Sequence, residues 1–267
     1  MEMLKVIVLG IIQGITEWLP VSSTGHLLLF DAIMPLKVSV AFRSVFMVVI
    51  QLGSILAVLV LYWNRLWPIK KDKVERKRSL RLWAHVLVAT IPAAIVGFLF
   101  DDIIDEKLSI YPVIAAALAI YGVLYIIFEK KVKIAVRVKS TDDFTYKDSL
   151  IMGLFQMLAL IPGTSRSGST ILGGMVSGIS REASAEFSFF MAIPVMAGAS
   201  LLRLLKSGMN FTSSEWLYLA IGSIVSFLVS LVAIKGLVSY VRRHDFSIFG
   251  VYRIILALVV VLYFSFS

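Results

Sequence analysis

The sequence predicts an all-α integral membrane protein, one membrane domain over 1–267, with six transmembrane helices and two re-entrant helical hairpins in an inverted-topology repeat. Three observations predict it. Hydrophobic residues make up 59% and charged residues 16%, against about half and about a quarter in a soluble domain. The mean hydropathy is +0.90. Six apolar runs alternate between basic and cation-poor connections. Two further apolar stretches each run into a Pro/Gly/Ser/Thr cluster, and the two align with each other.

The first such stretch is 3–19, followed by PVSST and the short apolar tail HLLLFDAIM. Stretch and tail are too short for two spans of roughly 20 residues each. They read instead as a re-entrant hairpin over 3–30, with irregular backbone shielded by protein or a water-filled cavity. Spans follow at 42–63, 81–100 and 112–128, completing a first repeat over 1–128. A linker, 129–148, precedes a second hairpin, 149–178, whose tail is TILGGMVSG. Spans at 182–205, 215–236 and 249–266 complete a second repeat over 149–267.

The cations set the orientation. Arg65, Lys70, Lys71, Lys73, Arg76, Lys77, Arg78 and Arg81 crowd 64–81. Lys130, Lys131, Lys133, Arg137, Lys139 and Lys147 lie in 129–148, and Arg242 and Arg243 in 237–248. The alternate loops carry only Lys37, Lys107 among four acids, and Lys206. The positive-inside rule makes the basic segments cytoplasmic. The first hairpin then enters from the outer face and the second from the cytoplasmic face. The net charge of +9 thus reports topology and contact with anionic lipid heads; no nucleic-acid recognition motif accompanies it.

The hairpins align without gaps, LGIIQGITEWLPVSSTGHLLL (9–29) on MGLFQMLALIPGTSRSGSTIL (152–172). Gly10, Gln13, Ser22, Gly25 and Leu29 match Gly153, Gln156, Ser165, Gly168 and Leu172. Phe46 and Ile50 match Phe189 and Ile193 in the next spans. A hairpin plus three spans has odd parity, so the halves are inverted, and broken helices in such repeats meet near the midplane to form a site.

Ionisable residues at membrane depth are costly and mark function. The first tip offers Glu17, Ser22, Ser23, Thr24 and His26; the second offers Ser165, Arg166, Ser167, Ser169 and Thr170 around Gly163 and Gly168. Arg166 in a Gly/Ser loop suits a phosphate, since its planar fork binds two oxygens and helix N-termini attract anions. A serine is a candidate nucleophile, a glutamate its base or a metal ligand, and the imidazole an acid or base. Glu17 precedes Ser23 by six positions, so contact needs a turn, as Pro20 suggests. Plainer roles stand beside these. Ser22, Ser169 or Thr170 can be interface packing, Ser22 or Thr24 a helix cap, and His26 a structural donor. A structural Glu17–Arg166 pair is the bland alternative. Gln13 and Gln156 are candidates to bridge the hairpins. Arg43, Glu182, Glu186, Arg203 and Arg253 lie near span ends and are weaker candidates. The absence of cysteine excludes thiol chemistry, and three scattered histidines do not make a metal site. No cleavable signal pattern is expected at the amino terminus.

At these residues the chain resembles the undecaprenyl pyrophosphate phosphatase family, also called bacitracin-resistance proteins. Gln13 and Glu17 fit its E/Q-x-x-x-E motif, and Pro162, Gly163, Ser165, Arg166, Ser167 and Thr170 its PGxSRSxxT motif. QLGSILAVL at 51–59, REASAEFSFFMAIP at 181–194 and the YR at 252–253 also look like family sequence. The resemblance implies hydrolysis of a C55 polyprenyl diphosphate to the monophosphate and phosphate. That reaction recycles the lipid carrier of bacterial cell-wall synthesis and gives bacitracin resistance. It implies a divalent cation, Mg²⁺ or Ca²⁺, and a site in the bacterial cytoplasmic membrane opening outward. By it Glu17 binds metal or activates the nucleophile, Ser23 is the nucleophile with Ser22 close by, and His26 assists proton transfer. Arg166 holds the diphosphate; Gln13, Ser22, Thr24, Ser165, Ser167 and Thr170 bind substrate. Glutamine at position 13 removes one metal charge. Membrane lipids are the expected surroundings, nucleic acid is not an expected partner, and a homodimer is left open. The rival reading is a proton-coupled transporter or flippase of a phosphorylated lipid or small anion, with Glu17 carrying the proton.

Overall fold

The computed structural model describes residues 1–132 and 134–266; Lys133, one cation of the linker, lies outside the described residues. The described residues are helical apart from turns, a π-helical turn at Ile104–Leu108, a 3₁₀ turn at Thr141–Asp143 and one isolated bridge between Val138 and Ile179. In order the helices are α1 (Glu2–Thr16), α2 (Ser23–Ile33), α3 (Val40–Val49), α4 (Gln51–Leu61), α5 (Trp63–Leu66) and α6 (Lys73–Ile103). Then come α7 (Tyr111–Lys131), α8 (Tyr146–Leu158), α9 (Arg166–Val176), α10 (Arg181–Ser207), α11 (Ser213–Val241) and α12 (Ser247–Phe266).

Six segments are long and apolar enough to cross a membrane: Val40–Leu61, which joins α3 and α4, and helices α6, α7, α10, α11 and α12. They coincide with the six expected spans. Helix α6 overshoots its run, because Asp72 caps it upstream by accepting from the Glu75 backbone N–H. The basic stretch is therefore helical.

The two short pairs behave differently. Helix α1 has 15 residues and α8 has 13, about 22 and 20 Å at 1.5 Å per residue, less than the ~30 Å hydrocarbon core. Each ends at a proline-containing turn. Each chain then restarts through a serine in the left-handed region, Ser22 at φ 72° and Ser165 at φ 71°. Each serine side chain caps the next helix, accepting from Gly25 N at 3.4 Å and Gly168 N at 3.1 Å. Hydroxyl caps satisfy N–H groups that a helix start leaves free.

Packing brings the two short pairs into one bundle. Helix α1 lies on α11 and α8 lies on α6; α10 packs on α3, α4 and α6, and α7 on α12. Small residues permit the close crossings. A Cβ at Gly122 would sit 2.7 Å from the Gly250 carbonyl oxygen, and one at Gly250 would sit 2.6 Å from that of Gly122. Gly163, at φ 94°, lies where a Cβ would meet the Ile114 carbonyl at 2.5 Å, so the second tip is seated directly on α7.

Candidate active site

The ends of α1 and α8 and the starts of α2 and α9 converge on one cavity of about 170 Å³. Glu17, Ser22, Ser23, Thr24, Ser165 and Arg166 line it. The turn at Pro20 folds Ser23 back onto Glu17, whose Oε2 accepts from Ser23 Oγ at 3.1 Å and from Gln13 Nε2 at 2.9 Å. The other oxygen, Oε1, accepts from Arg166 Nη2 at 3.1 Å. The carboxylate is 5% exposed. One buried group from the first tip is thereby tied to a hydroxyl of its own tip and to the cation of the other.

Arg166 is held from behind. Its Nη1 donates to the Ser188 carbonyl at 2.8 Å and to Ser188 Oγ at 3.1 Å, and its guanidinium lies 5.5 Å over the ring of buried Trp18. Its Nε is buried without a partner. Ser188 also meets Thr170 Oγ1 at 2.7 Å, while Thr170 donates to the Arg166 carbonyl at 2.8 Å. Thr170 therefore buttresses the arginine from within α9 and does not line the cavity. Ser167 donates to the Leu19 carbonyl at 3.0 Å and lies 3.2 Å from Ser165 Oγ, a bond that joins the two tips. Gln13 stands behind Glu17 with its Oε1 unpaired. Gln156 reaches the Ala89 carbonyl at 3.5 Å; neither glutamine bridges the hairpins.

His26 is not among the cavity residues. Its Nδ1 lies 2.7 Å from the Ser22 carbonyl and its Nε2 2.6 Å from Tyr252 Oη. A carbonyl only accepts, so Nδ1 carries a proton, and in the neutral ring Nε2 accepts from the tyrosine. The imidazole braces the Ser22 turn against α12.

Ser188 and Trp18 escaped the sequence reading, which noted Tyr252 only within the family-like YR and ranked Arg253 among the weaker candidates near span ends. Arg253 is fully buried. It donates to the carbonyls of Gly163 and Thr164 at 2.9 Å each, of Pro20 at 3.3 Å, and of Ala117 and Leu118 on α7 at 3.3 and 3.4 Å. One guanidinium thus satisfies backbone carbonyls in the irregular turns of both tips. The signal available was a charged residue six positions into an apolar helix.

A second, more apolar cavity of about 360 Å³ adjoins the first, sharing Ala93, Leu160, Val195 and Ala199 with it. Its lining extends to Asp101 and Arg203, at the ends of α6 and α10 remote from Lys73 and Arg181. There Lys206 of α10 donates to Asp101 at 2.9 Å and Asp102 at 2.8 Å on α6.

For a divalent cation the described residues offer no group of three or more His, Cys, Asp or Glu. They offer one carboxylate, Glu17, hydroxyl oxygens, and the unpaired Gln13 Oε1 beside it. This fits a hard cation that takes few protein ligands and shares the rest with phosphate and water.

The family model for Bacitracin resistance protein BacA matches residues 6–259. A protein of Enterococcus faecalis named undecaprenyl-diphosphatase is 52% identical over 266 residues, covering 98% of this chain and 96% of the relative. Undecaprenyl-diphosphatase 1 of Clostridioides difficile strain 630 is 52% identical over 266 residues, covering 99% and 97%. The undecaprenyl-diphosphatase of Acetivibrio thermocellus is 53% identical over 267 residues, covering 99% and 98%.

Proposed function

The chain belongs to the bacitracin resistance protein BacA family, and from that premise we propose how its two tips act on a lipid diphosphate. The protein is an undecaprenyl-diphosphatase, a multi-pass membrane hydrolase that converts undecaprenyl diphosphate to the monophosphate and inorganic phosphate. The observation that carries the residue roles is Glu17 joined at once to Ser23 and to Arg166.

In the proposed reaction Arg166 binds oxygens of the terminal phosphate, using donors that Ser188 does not occupy. Ser165 and Thr24 supply hydroxyls from either side. Ser23 Oγ attacks the terminal phosphorus as its proton passes to Glu17. The bond to the bridging oxygen breaks and the lipid monophosphate leaves. Glu17 passes that proton to the departing monophosphate. Water, deprotonated by Glu17, then attacks the phosphoserine. The P–Oγ bond breaks, and the proton returns from Glu17 to Ser23 Oγ as inorganic phosphate leaves. Phosphoryl transfer is accelerated chiefly by placing charge where charge develops, which fits a rigidly braced Arg166. Glu17, with Gln13 Oε1 next to it, would hold the divalent cation. That ion supplies neutralisation of phosphate charge.

The architecture supports re-entrant hairpins and an inverted repeat. Exchanging α1, α2, the α3–α4 span, α6 and α7 with α8, α9, α10, α11 and α12 turns the α1–α11 packing into α8–α6 and leaves α7–α12 on itself. The break between α3 and α4 at Ile50–Gln51 corresponds to Ile193–Pro194 inside α10. In the positive-inside orientation the Lys73 end of α6 is cytoplasmic, so the Asp101–Arg203 cavity faces outward. It offers apolar walls to the first prenyl units while the remaining chain stays in lipid.

Phosphate release from a polyprenyl diphosphate by the purified protein in detergent, with and without a chelator, tests the reading. Cation-dependent release abolished by Glu17→Ala and by Arg166→Ala is expected. Lipid translocation without release would replace the hydrolase by the flippase.

A further inference from the structure

Glycine inside a membrane helix commonly marks a close helix crossing. Gly10, Gly14, Gly122 and Gly250 are of that kind: a Cβ at each would lie 2.6–2.8 Å from a backbone carbonyl oxygen of a neighbouring helix. Gly198 is not. A Cβ there would meet nothing within 4 Å. Its backbone is ordinary helix inside α10, so no left-handed conformation requires glycine either. Glycine in a helix interior is unfavourable against alanine, and the local structure gains nothing from it. What it leaves is room.

That room belongs to the apolar cavity beside the catalytic one. Gly198 lines the 360 Å³ space between α6 and the part of α10 beyond Pro194. Val195 and Ala199, which flank it on α10, line both that space and the cavity of Glu17 and Arg166. Gly198 thus stands where one cavity passes into the other. The first half of the chain fills the equivalent place. The register that matches Ile50 with Ile193 matches Ile55 with Gly198. Ile55 is 4% exposed and belongs to the packed core. Its helix, α4, lies tightly on α11, where a Cβ at Gly53 would strike the Ser223 carbonyl. In the proposed exchange of halves, α4 and α11 correspond to the outer part of α10 and to α6. One helix pair is closed; its counterpart holds a cavity, with glycine at the matching place.

We infer that Gly198 is a specificity-determining residue: its missing side chain keeps open the passage by which the prenyl chain leaves the catalytic cavity. The site then accepts a diphosphate carried on a long branched alkyl chain. The inference rests on the hydrolase reading above. Gly198 does not line the catalytic cavity, so a side chain there competes with the prenyl chain and leaves Glu17, Ser23 and Arg166 untouched.

The test compares Gly198→Ala, Gly198→Leu and Gly198→Phe with wild type in detergent, each checked for thermal unfolding. Gly236→Leu is the control. It is the other helical glycine among the described residues whose Cβ would meet nothing within 4 Å. It lines a groove between α1, α11 and α12 that shares no lining residue with either cavity. KM for the polyprenyl diphosphate and the inhibition constant of the lipid monophosphate should rise with side-chain size. The rise should be slight for alanine and about tenfold or more for leucine and phenylalanine, as crowding a filled space predicts. A loss of binding common to ground state and transition state leaves kcat unchanged. Inhibition by inorganic phosphate, which carries no chain, should keep its wild-type constant, and Gly236→Leu should match wild type throughout. Folded Gly198→Leu and Gly198→Phe proteins with unaltered KM and unaltered monophosphate inhibition overturn the inference. So does an equal weakening of inhibition by inorganic phosphate, which would mean that the catalytic cavity itself is disturbed. An equal effect of Gly236→Leu overturns it too. If Gly198→Phe does not fold, Gly198→Ala and Gly198→Leu decide by their order. Absence of phosphate release by wild type would instead refute the hydrolase reading beneath it.

Discussion

Arg166 donates to Glu17 at 3.1 Å across 149 positions of sequence, and this one bond joins the two tips electrostatically. Each group keeps the other from being a lone charge in a buried site, where an unpaired ion costs several kcal/mol. Each also has a feature that the pairing alone does not need: Glu17 accepts from Ser23 Oγ, and Arg166 has an unpaired Nε.

Glu17→Gln and Arg166→Ala should therefore each lower phosphate release by about 10²–10³-fold, the range for removing one preorganised electrostatic group. The double variant should lose little more than the worse single one, because the groups act as a unit. Arg166→Lys should rescue little, since an ammonium cannot span Ser188 and Glu17 as a planar fork does. Initial rates at saturating lipid and fixed cation measure all four. Multiplicative losses would mean that the pair does not work jointly.

Adjacent serines should part company. Ser23 faces Glu17, whereas Ser22 spends its hydroxyl on the Gly25 N–H in a left-handed backbone conformation. Ser23→Ala should reduce turnover by at least about 10²-fold with the thermal midpoint unmoved. Ser22→Gly suits φ 72° and should keep most activity, since glycine at a cap costs only a few tenths of a kcal/mol. Ser22→Ala should cost about 1 kcal/mol through the lost cap. Paired assays of turnover and unfolding in detergent separate the two roles.

Much of this arrangement was legible in the sequence, for identifiable reasons. The spans show because lipid tolerates few charges over 20 residues. Glu17 and Arg166 stand out because a charge among such residues needs a purpose. Ser22 and Ser165 were placed in register by the hairpin alignment, and both prove to be left-handed caps. The illegible part is contact made by residues far apart in sequence. Nothing local says that Ser188 grips Arg166, that Trp18 lies beneath it, or that His26 turns to Tyr252 and away from the cavity. A serine inside α10 looks like any small interface residue until the guanidinium is seen on it. Gln156 resembles Gln13 in sequence and differs in circumstance, because its partner position holds Leu160.

Removing the divalent cation should abolish turnover without unfolding the protein. Glu17 is the one carboxylate lining the cavity and is already paired with Arg166, so little folding energy depends on an added ion. A chelator should stop phosphate release and shift the thermal midpoint by no more than a few degrees. Mg²⁺ or Ca²⁺ in excess should restore activity. A large loss of stability on chelation would point to a structural ion elsewhere.

Arg253 should matter to folding before it matters to chemistry. Its five carbonyl acceptors come from three separate segments, Pro20, Ala117–Leu118 and Gly163–Thr164. Without the guanidinium those carbonyls are buried without a donor, and each unsatisfied group costs about 1–3 kcal/mol. Partial hydration of the tips would recover some of that cost. Arg253→Met should thus destabilise the protein by about 4 kcal/mol or more, which is exceptional for one substitution. Arg253→Lys should retain a charge yet reach fewer of the five acceptors, and so fall between wild type and the methionine variant. Unfolding in detergent followed by size exclusion reads the order. Activity measured on whatever fraction of Arg253→Lys remains folded should stay near wild type, because the residue supports the tips and does not line the cavity. A folded Arg253→Lys protein that is stable but inactive would place Arg253 on the substrate instead.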